Sequence, residues 1–90
     1  MRIDKFLKNS RLIKRRTIAK EACEQGRILI NGKVAKPGSE VDVGDIILIQ
    51  FGNAQVKAKV LALSEHATKE IAANMYEIVE YPNGMGLPLS

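Results

Sequence analysis

The apolar residues of this chain change their spacing at Gly26. Before it, Ile3, Phe6 and Leu7, and then Ile18, Ala19, Ala22 and Cys23, recur at three- and four-residue steps. That is the period of one helical face. After it come the short apolar runs Ile28-Leu29-Ile30 and Ile46 to Phe51, and then an alternation from Gln55 to Leu63. A chain that is helical first and sheet-like afterwards belongs to the α+β class.

Local signals place the elements. Asp4 suits the dipole of a first short helix, and Asn9 and Ser10 end it. Leu12 and Ile13 read as a buried linker. A second helix starts between Arg15 and Thr17 and stops at Gly26, the left-handed position after a helix end. Asn31-Gly32 predicts a type I′ hairpin, with Lys33 to Lys36 as the returning strand. Pro37-Gly38-Ser39 breaks that strand, and Val41, Val43 and the turn Gly44-Asp45 lead into the next. The β-branched run Ile46 to Phe51 is expected as the central strand, followed by a turn at Gly52-Asn53. Val56, Ala58, Val60 and Ala62 then share one side. Thr68 is placed to cap a short helix through Asn74. Tyr76 to Tyr81 reads as a last strand or as a continuation of that helix. Pro82, Asn83, Gly84, Gly86 and Pro88 mark a loose tail.

Composition excludes several classes. Ninety residues suit one domain, and 4% aromatics with no Trp require an aliphatic core. A lone Cys and a lone His make neither a disulfide nor a metal site, which fits a reducing cytoplasm. Cys23 lies on the apolar face and reads as an inert buried thiol. No stretch approaches the ~20 apolar residues of a membrane span, and the N-terminus lacks a secretory pattern. No catalytic constellation, cofactor motif or phosphate-cradling glycine loop is present. His66 reads as an exposed histidine, and Glu40, Asp42 and Asp45 as solvated loop charges that keep their face from binding a polyanion.

Charge carries the functional signal. Residues 1–36 hold eleven Lys or Arg against three acids, whereas residues 37–90 hold three against seven. From Lys8 to Lys20 there are six basic residues and no acid. A solubilising surface mixes both signs, so this segment points to a polyanion. Arg15 and Arg16 open the second helix, where free N–H groups attract phosphate. Lys20 follows one turn on. Arg2 and Lys5 join them if the two helices pack side by side, and Lys33 and Lys36 if the hairpin lies alongside. With Arg11 these make eight candidate RNA-binding residues. No aromatics interleave with them, which favours folded RNA read by backbone and shape over a single-strand stacking platform.

The order Arg2-Ile-Asp-Lys-Phe-Leu, a Lys-Arg-Arg run before a helix ending Gln25-Gly26-Arg27-Ile28, then Ile30-Asn31-Gly32-Lys33-Val34 and Val43-Gly44-Asp45-Ile46-Ile47 resembles the S-four RNA-binding domain over about residues 1–51. The resemblance implies the alpha-L motif: two or three short N-terminal helices packed on a small antiparallel sheet. It also implies that the RNA surface lies on those helices and the adjoining hairpin. The domain is expected over residues 1–65, with residues 66–90 an extension packed on it or trailing from it. With the tail element Ala72-Ala73-Asn74-Met75-Tyr76, the chain is similar to stand-alone members of the family that act on stalled large ribosomal subunits. That implies a non-enzymatic monomer that holds peptidyl-tRNA and contacts 23S-type ribosomal RNA on the large subunit. A partner elongation factor then adds C-terminal residues, chiefly alanine, without a template. An assembly factor or general structured-RNA binder is the alternative, and an adaptor for an acidic protein a third reading.

Overall fold

In the computed structural model, which describes residues 1–52, 54–66 and 68–80, two helices pack on one face of a five-stranded antiparallel sheet. The elements are α1 (Ile3–Asn9), α2 (Arg16–Glu24), β1 (Ile28–Ile30), β2 (Lys33–Val34), β3 (Ile46–Phe51), β4 (Ala54–Val60), α3 (Lys69–Ala73) and β5 (Tyr76–Glu80). The strand order is β2-β1-β3-β4-β5, so β3 is central, as its β-branched run predicts. The α+β expectation holds, and the third helix falls late in the chain rather than among the N-terminal ones.

The switch at Gly26 is a complete helix stop. Gln25 caps α2 and Gly26 follows at φ 74°. The Gly26 N–H donates to the Cys23 carbonyl at 3.0 Å and the Arg27 N–H to the Ala22 carbonyl at 2.9 Å. Those two bonds are a Schellman motif, which satisfies carbonyls the helix leaves open. Five residues later Asn31 (φ 51°) and Gly32 (φ 85°) make the type I′ turn, which pairs Ile30 with Lys33. The returning strand is shorter than expected and ends at Val34. Ala35 leaves it to enter the core, with its N–H on the Ile28 carbonyl at 2.8 Å.

The pleat sorts side chains by parity. Ile28, Ile47, Ile49, Val56, Ala58 and Val60 point to the helices and are buried. Against them pack Ile3, Phe6 and Leu7 from α1, Ala19, Ala22 and Cys23 from α2, and Met75. Each fully buried Ile, Leu or Phe contributes about 1.5–3 kcal/mol, so this aliphatic layer holds the helices in place.

Two apolar expectations fail at the margins. Ile18 is 46% exposed, because α2 meets the sheet through Ala19, Ala22 and Cys23 and Ile18 is left at the rim of that contact. Ala62 is exposed because β4 has already ended at Val60. Thr68 caps α3 by accepting from the Ile71 N–H at 3.3 Å. Tyr76 onward is a strand, paired through Ile78 with Ala58 of β4. The expectations for Asn53, for Tyr81 and for the tail residues Pro82 to Pro88 lie outside the described residues.

The acids at 40–45 are structural rather than idle loop charges. Glu40 takes the N-terminal ammonium at 2.7 Å. Asp42 accepts from the Val43 N–H and Asp45 from the Asp42 N–H, each at 2.8 Å. Their carboxylates build the turn before β3.

Candidate nucleic-acid interface

An acid organises the contact between the two N-terminal helices. Asp4 adjoins the apolar stripe of α1 and is 2% exposed. Its oxygens accept from Arg2 Nη2 at 3.2 Å and from Arg16 Nη2 at 3.5 Å. Oδ1 also accepts the Lys5 backbone N–H at 2.8 Å. A buried carboxylate is costly unless paired, and here two guanidiniums meet it. Both arginines remain about half exposed. A guanidinium carries five N–H donors, so one contact to Asp4 tethers it and leaves donors for a phosphate.

The turn carrying Lys36 joins this spot. The Ile3 and Asp4 N–H groups donate to the Ser39 and Pro37 carbonyls at 2.8 and 3.4 Å. A Cβ at Gly38 would stand 4.0 Å from three atoms of the Arg2 guanidinium, so the glycine leaves that side of Arg2 open. Arg15 is the N-cap of α2 in extended conformation, and no side chain caps the helix. Its first N–H groups therefore remain available beside Arg16. Lys20 is exposed one turn further on.

Three of the eight candidates sit elsewhere. Lys5 is engaged by Glu65, sixty positions away, and that hydrogen bond holds the Glu65 carboxyl below the ordinary carboxylate value. Lys33 lies on the edge strand β2, with no hydrogen bond or ion pair to the Asp4 cluster. Arg11 occupies the opposite end of α1, at the position after the Ser10 cap, with φ 63°. Glycine takes the same position after α2, and a side chain there costs about 1–2 kcal/mol of backbone strain.

Arg11 lines a cleft of about 670 Å³ with Lys8, Lys14, Glu65, His66 and Thr68. The Asn9 side chain ties the two walls together by donating to the Ser64 carbonyl at 2.9 Å. The sequence reading missed Lys8 and Lys14, and it read Asp4 only as a dipole partner. The available signal was an acid beside an apolar stripe in an otherwise basic segment.

Cys23 is buried behind this interface. Burial pushes its thiol up to about 11, with the Asp4 and Glu24 carboxylates adding to the shift. Among the described residues no group of His, Cys, Asp and Glu could hold a metal ion, and no helix is long and apolar enough to cross a membrane.

Residues 1–47, which contain the Asp4 bridge, both N-terminal helices and the hairpin, match the S4 domain. The chain belongs to the S4 domain family. It is 56% identical over 80 residues to the RQC P-site tRNA stabilizing factor of Listeria monocytogenes, covering 89% of this chain and 87% of that one. The Bacillus subtilis protein of the same name is 55% identical over 80 residues, with 89% and 93% covered. Among solved S4 structures, the trimeric structure of Vibrio cholerae Heat Shock Protein 15 superimposes with a TM-score of 0.79. It is 28% identical and covers 87% of this chain and 80% of that one.

Proposed function

We propose that this S4 protein binds RNA on the large ribosomal subunit in ribosome-associated quality control, and that it works by contact rather than catalysis. The basic face holds ribosomal RNA and the peptidyl-tRNA together and keeps the tRNA in the P site. A partner elongation factor then extends the stalled chain at its C-terminus, chiefly with alanine, without a template. The names of the relatives at 55–56% identity support the pathway. The single observation that carries the chemistry is the Asp4 bridge, which holds Arg2 and Arg16 half exposed at the helix pair. The uncapped start of α2 supplies N–H groups beside them. Contacts come from Arg2, Arg15, Arg16, Lys20 and Lys36, with Arg11 and Lys33 at the margins and Lys5 held back by Glu65.

The test is co-sedimentation with large subunits from cells lacking the protein, reading both subunit and tRNA. Arg16→Gln is the variant of choice, since it removes the charge without setting a second carboxylate against Asp4. Wild type is expected with subunits that carry peptidyl-tRNA, and Arg16→Gln in the free fraction. Undiminished co-sedimentation of Arg16→Gln would place the RNA on another face.

A further inference from the structure

The cleft between the end of α1 and the loop before α3 is not accounted for by the Arg2–Asp4–Arg16 face. We propose that it is a pocket for one ribonucleotide turned out of an RNA helix. In it the backbone phosphate lies on Lys8, Arg11 and Lys14, and the nucleoside sits against His66 and Thr68. The proposal rests on the RNA-binding reading above and adds a second site to it.

Three observations carry it. The charge is one-sided: three exposed cations converge on the cleft, and its one acid, Glu65, is already engaged by Lys5. The volume, about 670 Å³, lies within the ~300–1,000 Å³ typical of small-ligand sites and leaves more room than a bare phosphate fills. The far wall suits a nucleoside, since an exposed imidazole offers a planar face for stacking and Thr68 a hydroxyl.

A fourth observation is Arg11 itself. Its φ of 63° puts it where α2 uses Gly26. Nothing in the packing asks for a side chain there, because Arg11 is exposed and, among the described residues, its guanidinium has no hydrogen-bond partner. A strained arginine aimed at a cationic cleft is explained by a ligand, not by the fold. Both walls are held in place, by the Asn9 bond to Ser64 and by the Lys5–Glu65 pair, so the cleft is preformed.

The decisive variant is Arg11→Gly, because glycine favours the backbone at that position and the protein will fold. Lys14→Gln, at an exposed position, is the independent partner. The probes are adenosine 5′-monophosphate, inorganic phosphate, and two RNA hairpins that differ only by one bulged nucleotide. The expected result is that the monophosphate shifts amide resonances of residues 8–14 and 64–66 more than phosphate alone. The bulged hairpin is expected to bind about tenfold more tightly than the paired one, as one charge-assisted contact implies. That preference should disappear in Arg11→Gly and in Lys14→Gln, while Arg16→Gln weakens both hairpins equally. Equal shifts from phosphate and monophosphate would overturn the nucleoside half of the proposal. A monophosphate response without any preference for the bulge would make this a free-nucleotide site and overturn the RNA assignment. If Arg11→Gly and Lys14→Gln keep full preference while Arg16→Gln loses subunit binding, the cleft proposal fails and the proposed function stands. If wild type fails to bind subunits, the proposed function falls, and the hairpin comparison still decides the cleft.

Discussion

The side-chain amide of Asn31 donates to the Asp45 carboxylate at 3.0 Å, and its carbonyl oxygen accepts the Ile46 N–H at 2.9 Å. The Asn31 N–H also donates to the Ile46 carbonyl at 2.8 Å. The hairpin turn and the turn that opens β3 are therefore one hydrogen-bonded unit. The Asn31-Gly32-Lys33 and Gly44-Asp45-Ile46 segments, fourteen residues apart at Asn31 and Asp45, thus close on one another.

Asn31 serves that unit in two ways, which substitution can separate. Asn31→Gly keeps the positive-φ turn and removes the side-chain bonds, and is expected to cost about 1–2 kcal/mol. Asn31→Ala also strains the backbone at φ 51° and should cost about 1 kcal/mol more. Urea unfolding of both variants measures the difference. Equal losses would mean that the turn conformation contributes nothing.

Asp4 gives a prediction that opposes simple charge counting. Asp4→Asn makes the protein more basic, so long-range attraction to RNA rises. The carboxylate that holds Arg2 and Arg16 is lost, however. We expect weaker RNA binding despite the added positive charge. We also expect about 1–2 kcal/mol of lost stability, modest because both partners are half in solvent. RNA affinity at two salt concentrations checks it. Tighter binding at both would show that the arginines need no positioning.

Cys23 should behave as a shielded thiol. Its folded pKa, about 11, lies above the ordinary 9.0, so the native state retains a proton that the unfolded chain gives up. That contribution is fully present below pH 9 and is lost as pH rises towards 11. Stability should therefore fall over that window in wild type, and less steeply in Cys23→Ala. Cys23→Ala should itself cost about 1 kcal/mol at neutral pH and leave RNA binding unchanged. Thermal melts from pH 8 to 11, with thiol-probe labelling rates, provide the check. Rapid labelling of the native protein would contradict the burial.

What could be read from the sequence divides by range. Gly26 and Asn31-Gly32 act through backbone conformation within a few residues, so the helix stop and the hairpin were legible. The β-branched run identified the central strand for the same local reason. The Asp4 bridge was not legible, because Arg16 is twelve residues away and meets Asp4 only once the helices pack. The Lys5–Glu65 pair spans sixty positions, and nothing near either residue signals it. Ile18 carries the helical period and yet is exposed, since periodicity names a face without saying how much of it the sheet can cover. Tyr76 to Tyr81 was ambiguous alone, and pairing of Tyr76–Glu80 with β4 decided its described part. The candidate site was legible as a basic segment and illegible as geometry. One run of cations folds into the Asp4-centred face and a cleft at the other end of α1.

The Lys5–Glu65 pair makes the last prediction, about how many cations face the RNA. Removing a lysine that contacts one phosphate should shallow the slope of log affinity against log salt by about one unit. Lys20→Gln and Lys36→Gln are expected to do so. Asp42→Asn should leave the slope unchanged, because its acceptor oxygen stays on the Val43 N–H and no phosphate contact is lost. Glu65→Gln is different. It removes the charge that engages Lys5, so Lys5 becomes free to reach phosphate, and the slope should steepen by about one unit. Acid offers a second route to the same state. The Glu65 carboxyl is held below its ordinary 4.5 by the hydrogen bond from Lys5, so the pair is intact at neutral pH and dissolves only as pH falls through that lowered value. Affinity in Glu65→Gln should therefore exceed wild type at pH 7, with the gap closing only in acid below 4.5. Filter-binding titrations at several salt concentrations and at these two acidities measure both effects. An unchanged slope in Glu65→Gln would show that Lys5 serves the fold alone and belongs to no RNA contact.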